Sequence, residues 1–138
     1  TAASGAAASI GVSLTHRDHA QSVRFVTGHS KSGKVPENLH WAGMASGDTT
    51  LIFYMASRTG HEVSSNLIKH GMAPDTPVVI VANVSRDDQR VWKGRLENLT
   101  EGIEEISQGD PIVICVGTVF SLYAEDRALP FQLPQAAQ

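Results

Sequence analysis

The chain has little of several features that would reveal a function class at once. Its 138 residues include one cysteine, so no intrachain disulfide is possible and the fold depends on a hydrophobic core. Charged residues make up 18% of the sequence, and the formal net charge is -3, which gives no basic field for nucleic acid. No apolar stretch approaches the roughly 18 residues of a membrane span. We therefore expect one soluble, cytoplasmic domain that binds neither nucleic acid nor membrane.

The residue types that carry most enzyme chemistry form no recognisable cluster in the sequence. The six histidines lack the spacing of a metal site, so no metal is expected. Cys115 lies inside an apolar run without a neighbouring base, which predicts a buried, inert thiol. These patterns predict no catalytic residue.

Thr1 offers one alternative function. An N-terminal threonine can use its own α-amino group as the base that activates its hydroxyl, as self-processed amidohydrolases do. That chemistry requires a free α-amine, whereas the small residues after Thr1 are typical of a segment from inside a domain, which suggests that a preceding segment has been removed. An N-terminal threonine hydrolase stays open as an alternative at this point.

Hydrophobic patterning predicts an α/β fold with a mixed sheet of about five strands flanked by helices. Residues 1–9 suit a strand end followed by a helix start, with Gly11 ending the helix. Thr100 is the expected N-cap of the last helix, and residues 123–138 are expected to form a flexible tail. The strand at 90–96 follows the strand at 77–82 closely enough to indicate an antiparallel pair. Strands are expected at residues 22–27, 49–55, 77–82, 90–96 and 111–122, and further helices at 39–45, 57–70 and 99–106.

Two side chains occupy positions that suit ligand binding. Met55 ends the most apolar strand, and ligands of open α/β sheets bind beyond the carboxyl ends of the strands. Arg17 lies in a polar loop, and arginine can clamp a carboxylate with two parallel hydrogen bonds. Each signal is weak alone, because a core methionine and a solvated surface arginine are the commoner interpretations.

Five segments, taken in order, resemble one family. Residues 1–122 resemble the C-terminal domain of uroporphyrinogen-III C-methyltransferases, including the methylase module of siroheme synthase. The resemblance implies that a further, N-terminal domain belongs to the complete enzyme. The segments are Thr1-Ala-Ala-Ser-Gly5, Leu14-Thr-His-Arg-Asp18, Gln21-Ser-Val-Arg-Phe-Val-Thr-Gly-His29, Leu51-Ile-Phe-Tyr-Met55 and His70-Gly-Met72, of which the second and third are the most specific.

The resemblance implies an S-adenosylmethionine-dependent enzyme of siroheme and cobalamin synthesis. Such an enzyme is a homodimer that holds its cofactor between two domains, methylates uroporphyrinogen III twice to give precorrin-2, and releases S-adenosylhomocysteine. The family's glycine-rich loop and proton-transfer groups belong to the N-terminal domain, so no catalytic residue is expected in this chain and the isolated chain is expected to be inactive. The resemblance leaves open a stand-alone methylase or a fusion to a dehydrogenase and ferrochelatase module, and either pathway.

The resemblance also implies site residues. Thr1 and Ala2 match a Thr-Ala pair that contacts the cofactor, Met55 matches a methionine that borders it, and Arg17 matches an arginine near the substrate's carboxylates. Val84 stands where many members have a glycine whose backbone approaches the cofactor. The alternative to the enzyme is a non-catalytic tetrapyrrole-binding or assembly module of the same fold.

Overall fold

The computed structural model describes residues 1–124, so the tail predicted for residues 123–138 lies almost entirely outside the described residues. Among residues 1–124, no helix has the length and apolar character needed to traverse a lipid bilayer. The predicted succession of strands and helices is confirmed. In chain order the elements are α1 (Ala2–Ile10), β1 (Ser22–Thr27), α2 (Trp41–Met44), β2 (Thr49–Tyr54), α3 (Gly60–Lys69), β3 (Pro77–Ala82), β4 (Arg90–Arg95), a 3-10 turn (Leu96–Asn98), α4 (Leu99–Ile106), β5 (Ile112–Val116) and a 3-10 segment (Thr118–Leu122).

The five strands of the described region form one mixed sheet in the order β1-β2-β5-β3-β4. β1 and β2 are parallel, whereas β5 is antiparallel to its two neighbours, β2 and β3. β1, β2 and β3 therefore run in one direction, and their carboxyl ends meet the amino end of β5 at one edge of the sheet. The predicted antiparallel pair is β3 with β4, in which Ala82 lies opposite Arg90.

The three central strands are covered on both faces, which explains their nearly continuous apolar sequence. Successive side chains of a strand point to opposite faces, so Leu51 and Phe53 pack into one layer and Ile52 into the other. α2, α3 and α4 cover the first face. α1 and the 3-10 segment cover the second. The result is a three-layer α/β arrangement.

Small residues allow α1 to lie close to the sheet. Its Ala3 and Ala6 are fully buried against the sheet. The helix begins at Ala2, so the strand end predicted at the start of this segment is absent from it. Gly11 ends the helix with φ of 68°, a left-handed conformation that glycine adopts at little cost. The predicted end of this helix is therefore confirmed.

Several boundary predictions are wrong. β2 and β4 each end one residue earlier than predicted, at Tyr54 and Arg95, and other boundaries differ by more. β5 ends at Val116 rather than at residue 122, because Gly117 has φ of 154° and turns the chain into the 3-10 segment. The N-cap of α4 is Asn98 rather than Thr100, because a 3-10 turn leads directly into the helix and places Thr100 within its first turn. α2 and α3 lie inside their predicted bounds, as expected where helix ends fray.

Candidate functional site

A cavity of about 570 Å³ opens at the sheet edge where β1, β2 and β3 end and β5 begins. Small-molecule sites commonly have volumes of about 300 to 1,000 Å³, and open α/β sheets bind ligands at this edge. The cavity is therefore the candidate ligand site. Its lining comprises Ala2, His29, Tyr54, Met55, Ala56, Ser57, Arg58, Asn83, Val84, Arg86, Pro111, Ile112 and Val113.

The cavity brings together most of the site residues predicted from the sequence. Ala2, Met55 and Val84 line it. Thr1 lies beside it, because the Tyr54 hydroxyl donates a hydrogen bond of 3.1 Å to Thr1 Oγ1 and Tyr54 is a lining residue. Residues from three distant parts of the sequence thus meet at one sheet edge.

Arg17 lies away from this cavity, before the amino end of β1. It sits in a short hairpin closed by a bridge between His16 and Ala20. In this hairpin, the His19 carbonyl accepts a hydrogen bond of 3.2 Å from the Thr118 hydroxyl. Thr118 follows the carboxyl end of β5, so the hairpin lies at the sheet edge opposite the cavity. Arg17 is exposed, and its role near a substrate stays a prediction that requires a contact separate from the cavity.

Met55 occupies a backbone conformation that residues with a side chain seldom adopt. Its φ is 56°, which ends β2 at Tyr54, and the residue is 63% exposed. The left-handed conformation costs an L-residue roughly 1–2 kcal/mol, and an exposed side chain recovers little of that through burial. The commoner interpretation, a core methionine, is therefore excluded. A strained backbone beside an open cavity is the kind of feature found at ligand-binding sites.

The turn between β3 and β4 forms another wall of the cavity. Asn83 and Ser85 have φ of 51° and 66°, whereas Val84 between them lies outside the positive-φ region. Asparagine tolerates the left-handed conformation better than most residues, and a β-branched residue tolerates it poorly. Val84 therefore occupies this position without left-handed strain, even though the resemblance places a glycine there in many relatives.

One hydrogen bond joins this turn to the residue before β5, and a second lies within the connection between β3 and β4. The Asn83 N–H donates to the Pro111 carbonyl at 3.0 Å, and Asn83 Nδ2 donates to the Asp88 carboxylate at 2.9 Å. Nearby, Arg90 Nη2 donates to Asp110 at 2.7 Å, and this bond holds the pKa of Asp110 below its ordinary value. Asn83 is 2% exposed, and its Oδ1 has no hydrogen-bond partner among the described residues.

The rim of the cavity carries cationic side chains while its floor is apolar. Ile112 and Val113 form part of the floor, and the exposed Arg58 and Arg86 lie on the rim. Within residues 1–124, neither arginine forms an ion pair with a carboxylate. An apolar floor with exposed guanidinium groups at its edge suits a ligand that has an apolar body and carboxylate substituents.

The described residues supply no reactive thiol or metal centre at this site. Cys115 is buried in β5, as predicted, and burial raises the pKa of its thiol to about 12. In the part of the chain that the structure describes, no three His, Cys, Asp or Glu side chains are grouped to hold a metal ion. The residues around the cavity are suited to binding and orienting a ligand.

Comparison with known proteins agrees with the geometry. The family described as Tetrapyrrole (Corrin/Porphyrin) Methylases matches residues 1–100. The chain belongs to this family. A siroheme synthase from Hahella chejuensis (strain KCTC 2396) is 45% identical over 122 residues, a match that covers 88% of this chain and 26% of that protein. The tetrapyrrole methylase chain thus spans about a quarter of the length of the curated relatives it matches.

Solved structures show the same fold. A uroporphyrin-III-C-methyltransferase from Thermus thermophilus matches with a TM-score of 0.70 and 31% identity, covering 94% of this chain and 52% of its own. The Thermus thermophilus enzyme complexed with S-adenosyl homocysteine matches with a TM-score of 0.71 and 27% identity, covering 87% and 51%. The fold and the family predicted from the sequence are confirmed, and membership favours a methyltransferase over the N-terminal threonine hydrolase.

Sequence reasoning misses several lining residues of this methylase chain. Tyr54 belongs to a quoted motif but receives no role, because its hydrogen bond to Thr1 joins elements far apart in the sequence. Pro111 is missed because the antiparallel direction of β5, which brings its amino end to the cavity, is not evident from patterning. Arg58 is the missed lining residue that a sequence signal could have identified, because it lies shortly after the end of the most apolar strand.

Proposed function

We propose that the complete gene product carrying this chain catalyses the S-adenosylmethionine-dependent C-methylation of uroporphyrinogen III to precorrin-2, in siroheme or cobalamin synthesis. The chain supplies the C-terminal domain, residues 1–122, and one side of the cofactor site. One observation carries the proposal: Ala2, Met55 and Val84, each matched by resemblance to a position near the cofactor, line one cavity at the carboxyl ends of parallel strands.

The cavity is compatible with an adenosyl ligand. Its volume of about 570 Å³ and its apolar floor, formed in part by Ile112 and Val113, suit a planar base and a ribose. Asn83 Oδ1 supplies a buried acceptor without a partner among the described residues, at a residue that lines the cavity. Such an orphan acceptor is costly unless a donor reaches it, and a bound ligand or a water is the usual source of that donor.

The chain's own residues bind and orient rather than react. S-adenosylmethionine, when bound, supplies an electrophilic sulfonium methyl group, so the protein needs mainly to hold donor and acceptor in a productive geometry. Ala2 and Val84 present small or compact side chains that allow close approach, and the apolar floor keeps water from the bound ligand. Arg58 and Arg86 provide cations for carboxylate groups at the rim.

The proton-transfer groups are proposed to lie on the N-terminal domain of the complete enzyme, which is expected to be a homodimer. The cavity of this chain is partly open to solvent, which supports a site completed by a second domain. On this proposal the isolated chain is inactive and binds the cofactor weakly.

Calorimetric titration of S-adenosylhomocysteine tests the proposal directly. The ligand is titrated into the chain of residues 1–138 and into the complete gene product, with adenosine diphosphate as a control that shares only the adenosine part. Micromolar binding by the complete protein, and binding weaker by about 100-fold or more in the chain alone, is expected because half of the contacts are missing. Absence of binding in both proteins would reject the methyltransferase and favour the non-catalytic tetrapyrrole-binding or assembly module.

A further inference from the structure

We propose that Tyr54 is a positioning residue of the cofactor site, which fixes the amino end of α1 against the end of β2. The inference rests on the proposed function, because it concerns residues assigned there to the cofactor. The Ala3 N–H donates to the Tyr54 hydroxyl at 3.3 Å, and the same hydroxyl donates to Thr1 Oγ1 at 3.1 Å. One side chain therefore holds the two residues that flank Ala2.

The amino end of α1 needs such an anchor. The first N–H groups of a helix have no partner within the helix, and the N-cap Thr1 makes no side-chain capping bond. The Tyr54 hydroxyl supplies the missing acceptor from a neighbouring strand. Without it, the Ala3 N–H would depend on solvent or a ligand.

The composition of α1 makes a directional bond more important than usual. Ala3 and Ala6 are the buried residues of its first two turns, and alanine side chains form only shallow ridges. Large interlocking side chains that would set the position of the helix along the sheet are absent from its first two turns. A hydrogen bond depends steeply on distance and angle, so it adds a directional constraint to the packing of these small residues.

Contacts with β1 and the residue after it hold Tyr54 in place on the side of the strand away from α1. The Gly28 N–H donates to the Tyr54 carbonyl at 2.7 Å, which extends the pairing of β1 with β2 by one bond. The Tyr54 ring stacks on Phe25 with 6.3 Å between centroids and 9° between planes. Aromatic pairs in such offset stacks favour a defined ring orientation, so the hydroxyl is presented to α1 in one direction.

Tyr54 thus links three residues proposed to meet the cofactor. Thr1 accepts its hydrogen bond, Ala2 is held between the two bonded residues, and the strained Met55 follows it directly. Removing the hydroxyl while keeping the ring should loosen the start of α1 without changing the shape of the cavity wall. The expected effect is on ligand affinity rather than on the folded state.

The test compares Tyr54→Phe with Ser9→Ala in the complete gene product. Ser9 donates to the Ala6 carbonyl at 2.8 Å near the other end of α1, so Ser9→Ala removes one hydroxyl from the same helix away from the cavity. Tyr54→Phe is expected to raise the Kd of S-adenosylhomocysteine and the KM of S-adenosylmethionine about fivefold, with kcat changed less than about twofold. Ser9→Ala is expected to leave Kd and KM at the wild-type values, and both variants should have similar Tm.

The outcomes separate this inference from the function on which it rests. Wild-type affinity in Tyr54→Phe overturns the positioning role and leaves the proposed function intact. Equal losses of affinity in Tyr54→Phe and Ser9→Ala also overturn it, because they assign the effect to general weakening of α1. A wild-type protein that does not bind S-adenosylhomocysteine at all overturns the proposed function, and the inference with it.

Discussion

The indole of Trp92 in β4 fills the space directly over Gly102 in α4. A Cβ placed on Gly102 would lie 2.7 Å from three atoms of the ring, closer than side chains in proteins approach one another. Gly94, two residues beyond Trp92 in the same strand, is equally close to the ring, since a Cβ on Gly94 would lie 2.2 Å from the indole. β4 and α4 thus pack through a flat contact that requires glycine at both positions.

Replacing Gly102 with alanine is expected to destabilise the fold. Overpacking costs about 1–3 kcal/mol, and the better helix propensity of alanine returns at most about 1 kcal/mol, so a net loss of about 1 kcal/mol is expected. The measurement is urea unfolding of the variant beside the wild type. Glu104→Ala on the exposed side of α4 is the control and should stay within about 0.5 kcal/mol. A Gly102→Ala protein as stable as the control would mean that Trp92 moves aside at no cost.

The ion pair between Arg90 and Asp110 predicts a pH dependence of stability. The Arg90 hydrogen bond holds the pKa of folded Asp110 below its ordinary value of 3.8, which applies in the unfolded chain. The unfolded state therefore binds the proton more readily, so the contribution of the pair is present above pH 3.8 and is lost as the pH falls through the lower, folded pKa. Asp110→Asn should lose less stability than the wild type between pH 5 and pH 3.

Urea unfolding at a series of pH values measures this difference. Asp75→Asn removes a carboxylate at an exposed loop position and is the matched control, since Asp75 forms no ion pair with any residue from 1 to 124. The wild type and Asp75→Asn should weaken in parallel on acidification. Identical acid dependence in the wild type and Asp110→Asn would contradict the assigned pair.

Met55 is expected to lower the stability of the fold and to raise its affinity for the ligand. Glycine at this position relieves the left-handed strain of roughly 1–2 kcal/mol, and the added freedom of the unfolded chain cancels up to about 1 kcal/mol of that gain. Met55→Gly should therefore be at least as stable as the wild type in thermal unfolding. The same variant removes the side chain that borders the proposed cofactor site, so it should bind S-adenosylhomocysteine several-fold more weakly.

Met55→Leu separates the side chain from the backbone. It keeps an apolar side chain at φ of 56° and should retain both the strain and most of the affinity. If Met55→Gly unfolds at a lower temperature than Met55→Leu, the left-handed conformation is not a source of strain in this protein.

The fold was predictable to the extent that its signals are local. β1 and β3 have the predicted bounds, because β-branched runs flanked by loop residues mark both ends. The strand order and the reversed direction of β5 were not predictable, since they depend on pairings between distant segments. Gly117 shows the same limit: its φ of 154° ends β5, yet an apolar sequence continues beyond it.

The residues of the candidate site were also predictable only in part. Met55 could be proposed from its place at the end of a predicted apolar strand, because strand ends of parallel sheets share an edge. Thr1, Ala2 and Val84 came from resemblance alone, and only the folded chain shows that Ala2 and Val84 line one cavity. Arg17 came from the same resemblance, but the hairpin that carries it lies at the other edge of the sheet.

Arg58, at the rim of the cavity, is expected to bind a carboxylate of the tetrapyrrole rather than of the cofactor, because it is exposed and lies outside the apolar floor. Arg58→Met in the complete gene product should weaken binding of uroporphyrin III about fivefold to tenfold, and S-adenosylhomocysteine less than twofold, in fluorescence and calorimetric titrations. The lost affinity should shrink as salt rises, since exposed charges are screened. Arg95→Met, which removes the same charge from the exposed side of β4, is the control and should change neither affinity. A loss confined to S-adenosylhomocysteine would instead place Arg58 at the cofactor carboxylate.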